Sequence, residues 1–518
     1  MNVHVKTASS IVVVGLLLTI TWKVLEPYFA DKAQVGASDA SQLKKTIRIA
    51  MDGWVGYYPL CSKQMKKQLR DSGYGLKCIN DNADYKARYK GLKNKEYDFA
   101  VGTVDSYILN GAHVDFPGPI VSVIDESSGG DAIVAWEEKL PNIEALKQSD
   151  NAVGAFTPDS PSHHFAKAIS THFGITVLRD ASLQHLTDGS AAALKTFLSK
   201  KSDYAILWEP DLSKALNEKG VVRLLGTEDT QQLIVDILIA SQSTVRSDPD
   251  LVVTLLKSYF KTLKFYRNNQ NVLVDDMAEE FNISTATAKA LLSGVKWVSL
   301  VENANRWYGV NSTGFSEDAL VETIESTVDV LLDNKDFSDN PIPGEDPYRL
   351  LNSSFVKKLD LLYSNVGSFT TKGVNGSSTK AKFSPLSNEK WDRLEDVGSL
   401  KVRKIVFASG TSELTNEGKQ QVDALMSDLK HYPNFRVEVR GHTSIKGNKD
   451  ANIALSQQRA DAVLRYISVT YGFDANGLRS IGFGGSSPLP MKAGESRSRR
   501  SWLYRLPRVE IALVREVI

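Results

Sequence analysis

Short apolar segments that alternate with helical patterns dominate the first part of the chain, and this alternation restricts the possible folds more than any other feature. The segments have the length and the branched or aromatic residues of buried strands, and most are separated by an amphipathic pattern such as residues 63–71. This order predicts an α/β protein whose sheets are mainly parallel. The predicted strands are residues 46–51, 74–79, 98–104, 132–136, 152–156 and 203–208.

Length and composition exclude several classes of protein. The 518 residues allow about three domains, and 42% hydrophobic with 24% charged residues is ordinary for a globular chain. Lys and Arg (62) balance Asp and Glu (61), so the net charge of +1 gives no reason to expect a nucleic-acid partner. The chain has no HExxH, GxSxG or Walker-type motif. We therefore expect no enzyme activity, no metal and no cofactor.

The N-terminus predicts an export segment. Residues 11–20 are strongly apolar and Lys23 follows soon after, so we expect residues 1–30 to be an uncleaved transmembrane anchor and residues 31–43 a polar tether. A cleaved signal peptide is the alternative, because about ten apolar residues also suit its central region. Both alternatives place the rest of the chain outside the cytoplasm.

The chain has two cysteines, too few for a disulfide-dense scaffold. Cys61 is predicted to begin a helix after the first strand, and Cys78 to end the second strand. These points lie at the same end of a parallel βαβ unit, so a disulfide is geometrically allowed. Two buried free thiols are the alternative.

Four stretches, in this order, resemble the type II periplasmic solute-binding proteins of the nitrate, sulfonate, taurine and thiamine-precursor group, which serve ABC transporters. They are residues 52–59, 97–104, 160–164 and 205–210. The resemblance covers residues 44–360. It implies two α/β lobes that the chain crosses between twice, with a ligand in the cleft between them.

Residues after the carboxyl ends of the predicted strands are the expected ligand contacts, because ligands of parallel sheets bind there. Ser160 before Pro161 predicts a helix N-terminus that favours an anionic group, whereas Asp131 and Glu209 contribute carboxylates. We expect an anionic, zwitterionic or pyrimidine-like solute. The alternatives are that the tryptophans belong to the core, that Ser160 only caps its helix, and that Asp131 and Glu209 are solvated or hinge residues. The expected ligand-binding residues are Asp52, Trp54, Tyr57, Thr103, Ser127, Ser128, Asp131, Ser160, Ser162, Trp208 and Glu209.

Residues 361–388 are rich in small polar residues and predict a flexible linker, after which residues 389–518 form a second module. The stretches 405–414, 437–443, 455–460 and 508–511 resemble the OmpA-like peptidoglycan-binding domains, which implies an α+β fold.

The resemblance to OmpA-like domains also implies a wall-binding site. In that family an Asp after Gly-His-Thr and an Arg on the next helix hold the diaminopimelate end of the wall peptide, by pairing with its ammonium and its carboxylate. Arg459 matches this Arg, but Ser444 stands at the Asp position and supplies no charge. The expected peptidoglycan-binding residues are Thr443, Ser444, Asn452, Leu455, Arg459 and Arg508.

These observations predict a single-pass inner-membrane protein whose bulk lies in the periplasm. We expect it to bind a small solute, attach to peptidoglycan and contact an integral membrane partner, without catalysis and without nucleic acid. One alternative is a stator-like structural subunit that links a membrane complex to the wall and has a degenerate cleft. The other is the capture component of an ABC importer.

Overall fold

A computed structural model describes residues 43–310, 318–364, 383–402, 405–408, 410–491 and 500–516. The predicted anchor, nearly all of the tether and most of the predicted linker lie outside these residues. None of the helices in these ranges combines the length and the hydrophobicity of a membrane-spanning segment.

The strands form three sheets. In chain order the described strands are β1 (Lys45–Met51), β2 (Tyr74–Asn80), β3 (Phe99–Thr103), β4 (Ile120–Ser127), β5 (Asp131–Trp136), β6 (Gly154–Phe156), β7 (Gln184–Leu186), β8 (Tyr204–Trp208), β9 (Val221–Gly226), β10 (Val235–Ala240), β11 (Val295–Trp297), β12 (Glu395–Ser399), β13 (Arg436–His442), β14 (Leu478–Gly484) and β15 (Arg508–Arg515). The first sheet has the order β11-β4-β10-β3-β1-β2, the second β7-β6-β8-β5-β9, and the third β12-β15-β13-β14.

Helices cover the faces of the sheets. The helix Lys63–Asp71 shows the local cause: the Ser62 side chain accepts a hydrogen bond from the Met65 amide, and Met65 and Leu69 are fully buried. The described helices of six or more residues are Lys63–Asp71, Tyr85–Lys93, Val104–Gly111, Ile143–Gln148, Pro161–Phe173, Ser190–Leu198, Asp211–Leu216, Gln242–Ser247, Pro249–Asn268, Gln270–Phe281, Thr285–Ser293, Ala319–Asp333, Ser354–Ser364, Asn416–Leu429, Lys449–Tyr471 and Arg500–Arg505.

The first two sheets are the centres of two lobes, and the chain crosses between them twice. The first crossing joins β4 to β5 through residues 128–130, and the second joins β9 to β10 through residues 227–234. The predicted two-lobed α/β architecture is therefore present. A cleft lies where the crossings meet the ends of the strands.

The expectation of mainly parallel sheets is wrong. β1 pairs in parallel with β2 and β3, but β10 runs antiparallel to β3 and β4, and β5 runs antiparallel to β8 and β9. β5 and β10 are the strands that arrive from the other lobe. They begin at the cleft edge, whereas β1, β3 and β8 end there, so their direction is reversed.

A disulfide joins Cys61 to Cys78, with 6.3 Å between their Cα atoms. Cys61 ends the short helix Tyr58–Cys61 rather than beginning a helix, and Cys78 lies inside β2 rather than at its end. The bridge joins the short helix Tyr58–Cys61 to β2, the edge strand of the first sheet.

The helix Ala319–Asp333 connects the lobes. Leu320 and Ile324 belong to the hydrophobic core of the first lobe, whereas Val330 belongs to the core of the second. Just beyond its end, Asp336 accepts a 2.6 Å hydrogen bond from Lys167 of the second lobe. One helix therefore contributes to both cores.

The third sheet and its helices form the C-terminal domain, which packs against the second lobe. The His172 Nδ1 atom lies 2.7 Å from the Tyr432 hydroxyl, and the rings of His172 and His431 stack at 5.3 Å. Lys147 donates a 2.7 Å hydrogen bond to the carbonyl oxygen of Ser399. The sequence predicts a separate domain on a flexible linker, whereas in the structure the domain shares a hydrophobic core with the second lobe.

Candidate functional site

A cleft of about 800 Å³ lies between the two lobes. Its walls are the ends of β1, β3, β6 and β8, the beginning of β10, and the start of the helix Pro161–Phe173. Both lobes contribute polar and aromatic side chains to these walls. The predicted ligand-binding residues that line it are Asp52, Trp54, Tyr57, Thr103, Asp131, Ser160, Trp208 and Glu209.

The other three predicted residues lie behind the wall and support it. The hydroxyls of Ser127 and Ser162 each donate a hydrogen bond to the Asp131 carboxylate, at 2.8 and 2.9 Å. The Ser128 amide donates to the carbonyl oxygen of Gly294 in the first lobe. Asp131 is only 4% exposed, and burial raises its pKa to about 6.

Asp52 follows β1 and is held by a buried arginine. Its carboxylate accepts a 2.9 Å hydrogen bond from the Trp54 amide and a 3.0 Å hydrogen bond from the Arg88 guanidinium. Arg88 is fully buried and also binds Asp81 and the carbonyl oxygen of Val101. The positive charge of Arg88 is therefore neutralised by Asp52 and Asp81 beneath the cleft.

Two buried carboxyl groups lie under the aromatic residues of the first lobe. The Trp54 indole donates a 3.2 Å hydrogen bond to Asp125, and the Tyr57 hydroxyl donates one to Asp236. Burial raises the pKa of Asp125 to about 7, and burial together with the nearby Asp125 charge raises the pKa of Asp236. Asp236 lines the cleft.

The second lobe contributes the ends of β6 and β8. Glu209 follows Trp208, and its carboxylate accepts hydrogen bonds from the hydroxyl and the amide of Ser213, at 2.7 and 3.2 Å. The Ser160 hydroxyl accepts from the His163 amide and donates to the carbonyl oxygen of Thr157. Ser160 therefore caps its helix, and its hydroxyl is committed to that turn.

The cleft is rich in carboxylates and aromatic rings. Among the described residues that line it, none is a lysine, arginine or histidine. Asp131 and Asp236 are buried, whereas Asp84 and Asp188 are exposed. This charge distribution does not favour an anionic solute, which was one of the expected ligands. The acidic lining residues are Asp52, Asp84, Asp131, Asp188, Glu209 and Asp236, and the aromatic ones are Trp54, Tyr57, Tyr85 and Trp208.

The sequence pattern missed part of the lining. Asp236 lies inside the apolar strand β10, and an aspartate within such a strand was the available signal. The loop after β2 contributes asparagines and Tyr85, and the turn before the helix Ser190–Leu198 contributes Asp188. The missed polar and aromatic residues are Asn80, Asn82, Asp84, Tyr85, Thr157, Thr187, Asp188 and Asp236.

The described residues contain no group of three or more His, Cys, Asp or Glu side chains that could hold a metal ion.

The C-terminal domain places most of its predicted wall-binding residues around the loop after β13. The Thr443 amide donates to the carbonyl oxygen of Gly484, and the Asn452 side chain donates to the carbonyl oxygens of Ser444 and Lys446. Asn452 therefore closes the loop, with Ser444 half-buried within it. Leu455 is half-buried on the helix Lys449–Tyr471.

The two predicted arginines of this domain differ in their contacts. Arg459 donates to the carbonyl oxygen of Thr411 and lies over the ring of Phe407, and no acidic side chain in the described part of the chain pairs with it. Arg508 is 8% exposed and its guanidinium binds Glu510 and the carbonyl oxygens of Leu506 and Ser487. In the structure the guanidinium of Arg508 is therefore occupied by contacts within the domain.

Comparison with known proteins identifies the class of the C-terminal domain. The model of the OmpA family matches residues 406–501. The "Peptidoglycan-associated lipoprotein" of Pasteurella multocida is 32% identical over 102 residues, which are 19% of this chain and 67% of that protein. "Probable lipoprotein YiaD" of Escherichia coli is 34% identical over 99 residues, 18% of this chain and 45% of that protein. The chain thus belongs to the OmpA family through its C-terminal domain, although it spans less than half of YiaD.

The two lobes are similar to solved structures of periplasmic binding proteins. The alkanesulfonate-binding protein SsuA from Xanthomonas axonopodis pv. citri is 12% identical with a TM-score of 0.44, over 60% of this chain and 96% of that one. The periplasmic aliphatic sulphonate binding protein SsuA from Escherichia coli is 14% identical with a TM-score of 0.45, over 59% of this chain and 98% of that one.

Proposed function

We propose that this chain is a cell-envelope protein that captures a small organic solute between its two lobes and attaches to peptidoglycan through its OmpA-family domain. The observation that carries the proposal is the cleft itself. Its volume of about 800 Å³ is that of a small-molecule site, and both lobes line it. Among the described residues the chain crosses between the lobes twice, and the helix Ala319–Asp333 contributes to both cores; we propose that the lobes close around a solute.

Attachment to the wall is supported by family membership and by the state of Arg459. A guanidinium that has no acidic partner among the described residues is available to a ligand carboxylate. Ser444 stands where the family has an aspartate, so the ammonium of the wall peptide meets a hydroxyl instead of a charge. We therefore propose wall binding that is weaker than in the family.

The proposal includes residues 1–30 as an inner-membrane anchor, with the bulk of the chain in the periplasm. The Cys61–Cys78 disulfide supports an oxidising compartment. Wall and membrane attachment together favour a stationary capture or sensing protein. Catalysis forms no part of the proposed function.

A thermal-shift screen of the purified full-length chain tests solute capture. The screen covers amines, amino acids, betaines, pyrimidines, sulfonates and oxyanions. A solute at 100 times its Kd stabilises the lobes by about 2.7 kcal/mol, which is a visible rise in Tm. The rise should disappear in Trp54→Ala and Trp208→Ala and persist in Tyr504→Ala, whose ring is 77% exposed outside the cleft. A flat screen would refute capture and favour the structural alternative.

Co-sedimentation with purified peptidoglycan sacculi tests attachment to the wall. Arg459→Ala should lose binding, whereas Arg465→Ala, an exposed arginine on the same helix, should retain it. Equal sedimentation of both variants would refute a wall-binding role for Arg459.

A further inference from the structure

The charge of the cleft is one-sided. Six of its described lining residues carry carboxyl groups and none carries a cationic group. The buried Arg88, which lies beneath the wall, is already bound by Asp52 and Asp81. A solute in the cleft therefore meets an excess of negative charge in a partly dehydrated site, where Coulomb interactions are stronger than in water.

The deepest acidic groups have incomplete partners. Asp131 is held only by neutral donors, the hydroxyls of Ser127 and Ser162. Asp236 accepts from the Tyr57 hydroxyl. Behind it, the fully buried Asp125 accepts from the Trp54 indole and shares a side-chain hydrogen bond with Asp236, so no cation compensates this pair of carboxyl groups among the described residues. Buried carboxylates without a cation are costly, and burial raises their pKa values.

A second, independent observation concerns the neutral part of the lining. The buried Thr157 hydroxyl oxygen has no partner among the described residues, although Thr157 lines the cleft. Trp54 and Tyr57 from the first lobe and Trp208 from the second lobe also line it. The π faces of such rings attract cations, and the attraction is largest where water is excluded.

We infer that the cleft selects a small organic cation, whose positive charge compensates Asp131 and Asp236 while its body lies against Trp54 and Trp208. This inference rests on the proposed function and names the solute class of the same site. Sulfonates and oxyanions are excluded from the site by repulsion. A neutral molecule of the same shape fills the volume but leaves the carboxylates without a counter-charge.

Isothermal titration of the full-length chain with charge-matched series tests this inference. Benzamidinium, benzamide and benzoate have nearly the same shape but are cationic, neutral and anionic, and so are choline, 3,3-dimethylbutan-1-ol and 3,3-dimethylbutanoate. At pH 7.5 we expect the cation of at least one series to bind with a Kd at least tenfold lower than its neutral counterpart. We expect no binding of either anion.

Variants test which carboxylates cause the preference for a cation. Asp131→Asn and Asp236→Asn should each weaken cation binding at least tenfold, and should reduce the ratio between the Kd values of the neutral molecule and the cation. Asp150→Asn, an exposed carboxylate outside the cleft, is the matched control and should bind like the parent chain. If an Asn variant unfolds, the parent series alone still decides between the three charges.

The possible outcomes distinguish the inference of a cationic solute from the more general proposal of solute capture. Tightest binding of an anion, or equal binding of cation and neutral molecule, overturns the cation inference while solute capture stands. Failure of both cations to bind also overturns the inference, because a cleft chosen for its charge and aromatic walls should accept cations of this size. Capture itself fails only if the broad thermal-shift screen is flat as well.

Discussion

Replacing Asp131 by Asn should stabilise the empty protein at neutral pH. Asp131 is 4% exposed, and burial raises its pKa from its ordinary value of 3.8 to about 6. A raised pKa means that the folded state binds more protons than the unfolded state between these two values. The stability of the protein therefore falls as the pH rises through this window, and the full penalty applies above pH 6.

The size of the penalty follows from the shift. One pKa unit corresponds to about 1.36 kcal/mol, so a rise from 3.8 to about 6 costs roughly 3 kcal/mol at pH 7.5. Asn removes the charge, but it must satisfy the two serine hydroxyls with one oxygen and one NH₂ group. This poorer hydrogen bonding lowers the free energy of unfolding by about 1 kcal/mol. The expected net change is a gain of about 2 kcal/mol at pH 7.5 and a loss of about 1 kcal/mol well below pH 4, where Asp131 is protonated in both states.

The assay is thermal unfolding of the parent chain, Asp131→Asn and the exposed control Asp150→Asn between pH 4 and pH 8. The Tm difference between Asp131→Asn and the parent should grow as the pH rises through 4 to 6 and then remain constant. The control difference should stay near zero throughout. A pH-independent difference, or an Asn variant that loses stability at high pH, would refute the buried, uncompensated carboxylate.

Three further predictions concern the disulfide, the wall site and the domain contact. The Cys61–Cys78 bridge closes a loop with a sequence separation of 17, so its reduction should destabilise the first lobe by about 3 kcal/mol. The measurement is the Tm with and without a reductant, and an unchanged Tm would contradict a structural bridge. Ser444→Asp should increase the fraction of the protein that co-sediments with sacculi, because the aspartate supplies the missing counter-charge for the ammonium of the wall peptide. Equal sedimentation of the variant and the parent would show that the loop does not bind the wall peptide. Tyr432→Phe should cost about 1–3 kcal/mol, because it removes the buried hydrogen bond between the Tyr432 hydroxyl and His172 Nδ1. A Tm equal to that of the parent would exclude a tight domain contact.

Part of the cleft could be predicted from the sequence because ligand contacts follow strand ends. Asp52, Trp54 and Trp208 come directly after or at the end of apolar segments, and the carboxyl ends of such strands meet at one edge. Asp236 could not be predicted in this way, since β10 begins at the cleft and reverses the rule. The direction of a strand depends on the lobe from which the chain arrives, which local periodicity does not encode.

The contact between the C-terminal domain and the second lobe also could not be predicted from the sequence pattern. His172 and Tyr432 are 260 residues apart, and each lies in an ordinary local sequence. Arg508 matched a family motif, yet its donors are used by Glu510 and two carbonyl oxygens. A motif gives the residue type and the position in the fold, whereas the tertiary neighbours decide whether the charge is available.

The most direct test of solute capture is the distance between the lobes. Spin labels at Lys66 in the first lobe and Lys219 in the second, both exposed, report this distance by pulsed electron paramagnetic resonance in the full-length chain. Saturation with the tightest-binding solute of the screen should shift the distance distribution to a narrower closed state in the parent, and leave it unchanged in Trp54→Ala. An unchanged distribution in the parent at saturation would contradict capture by closure of the cleft.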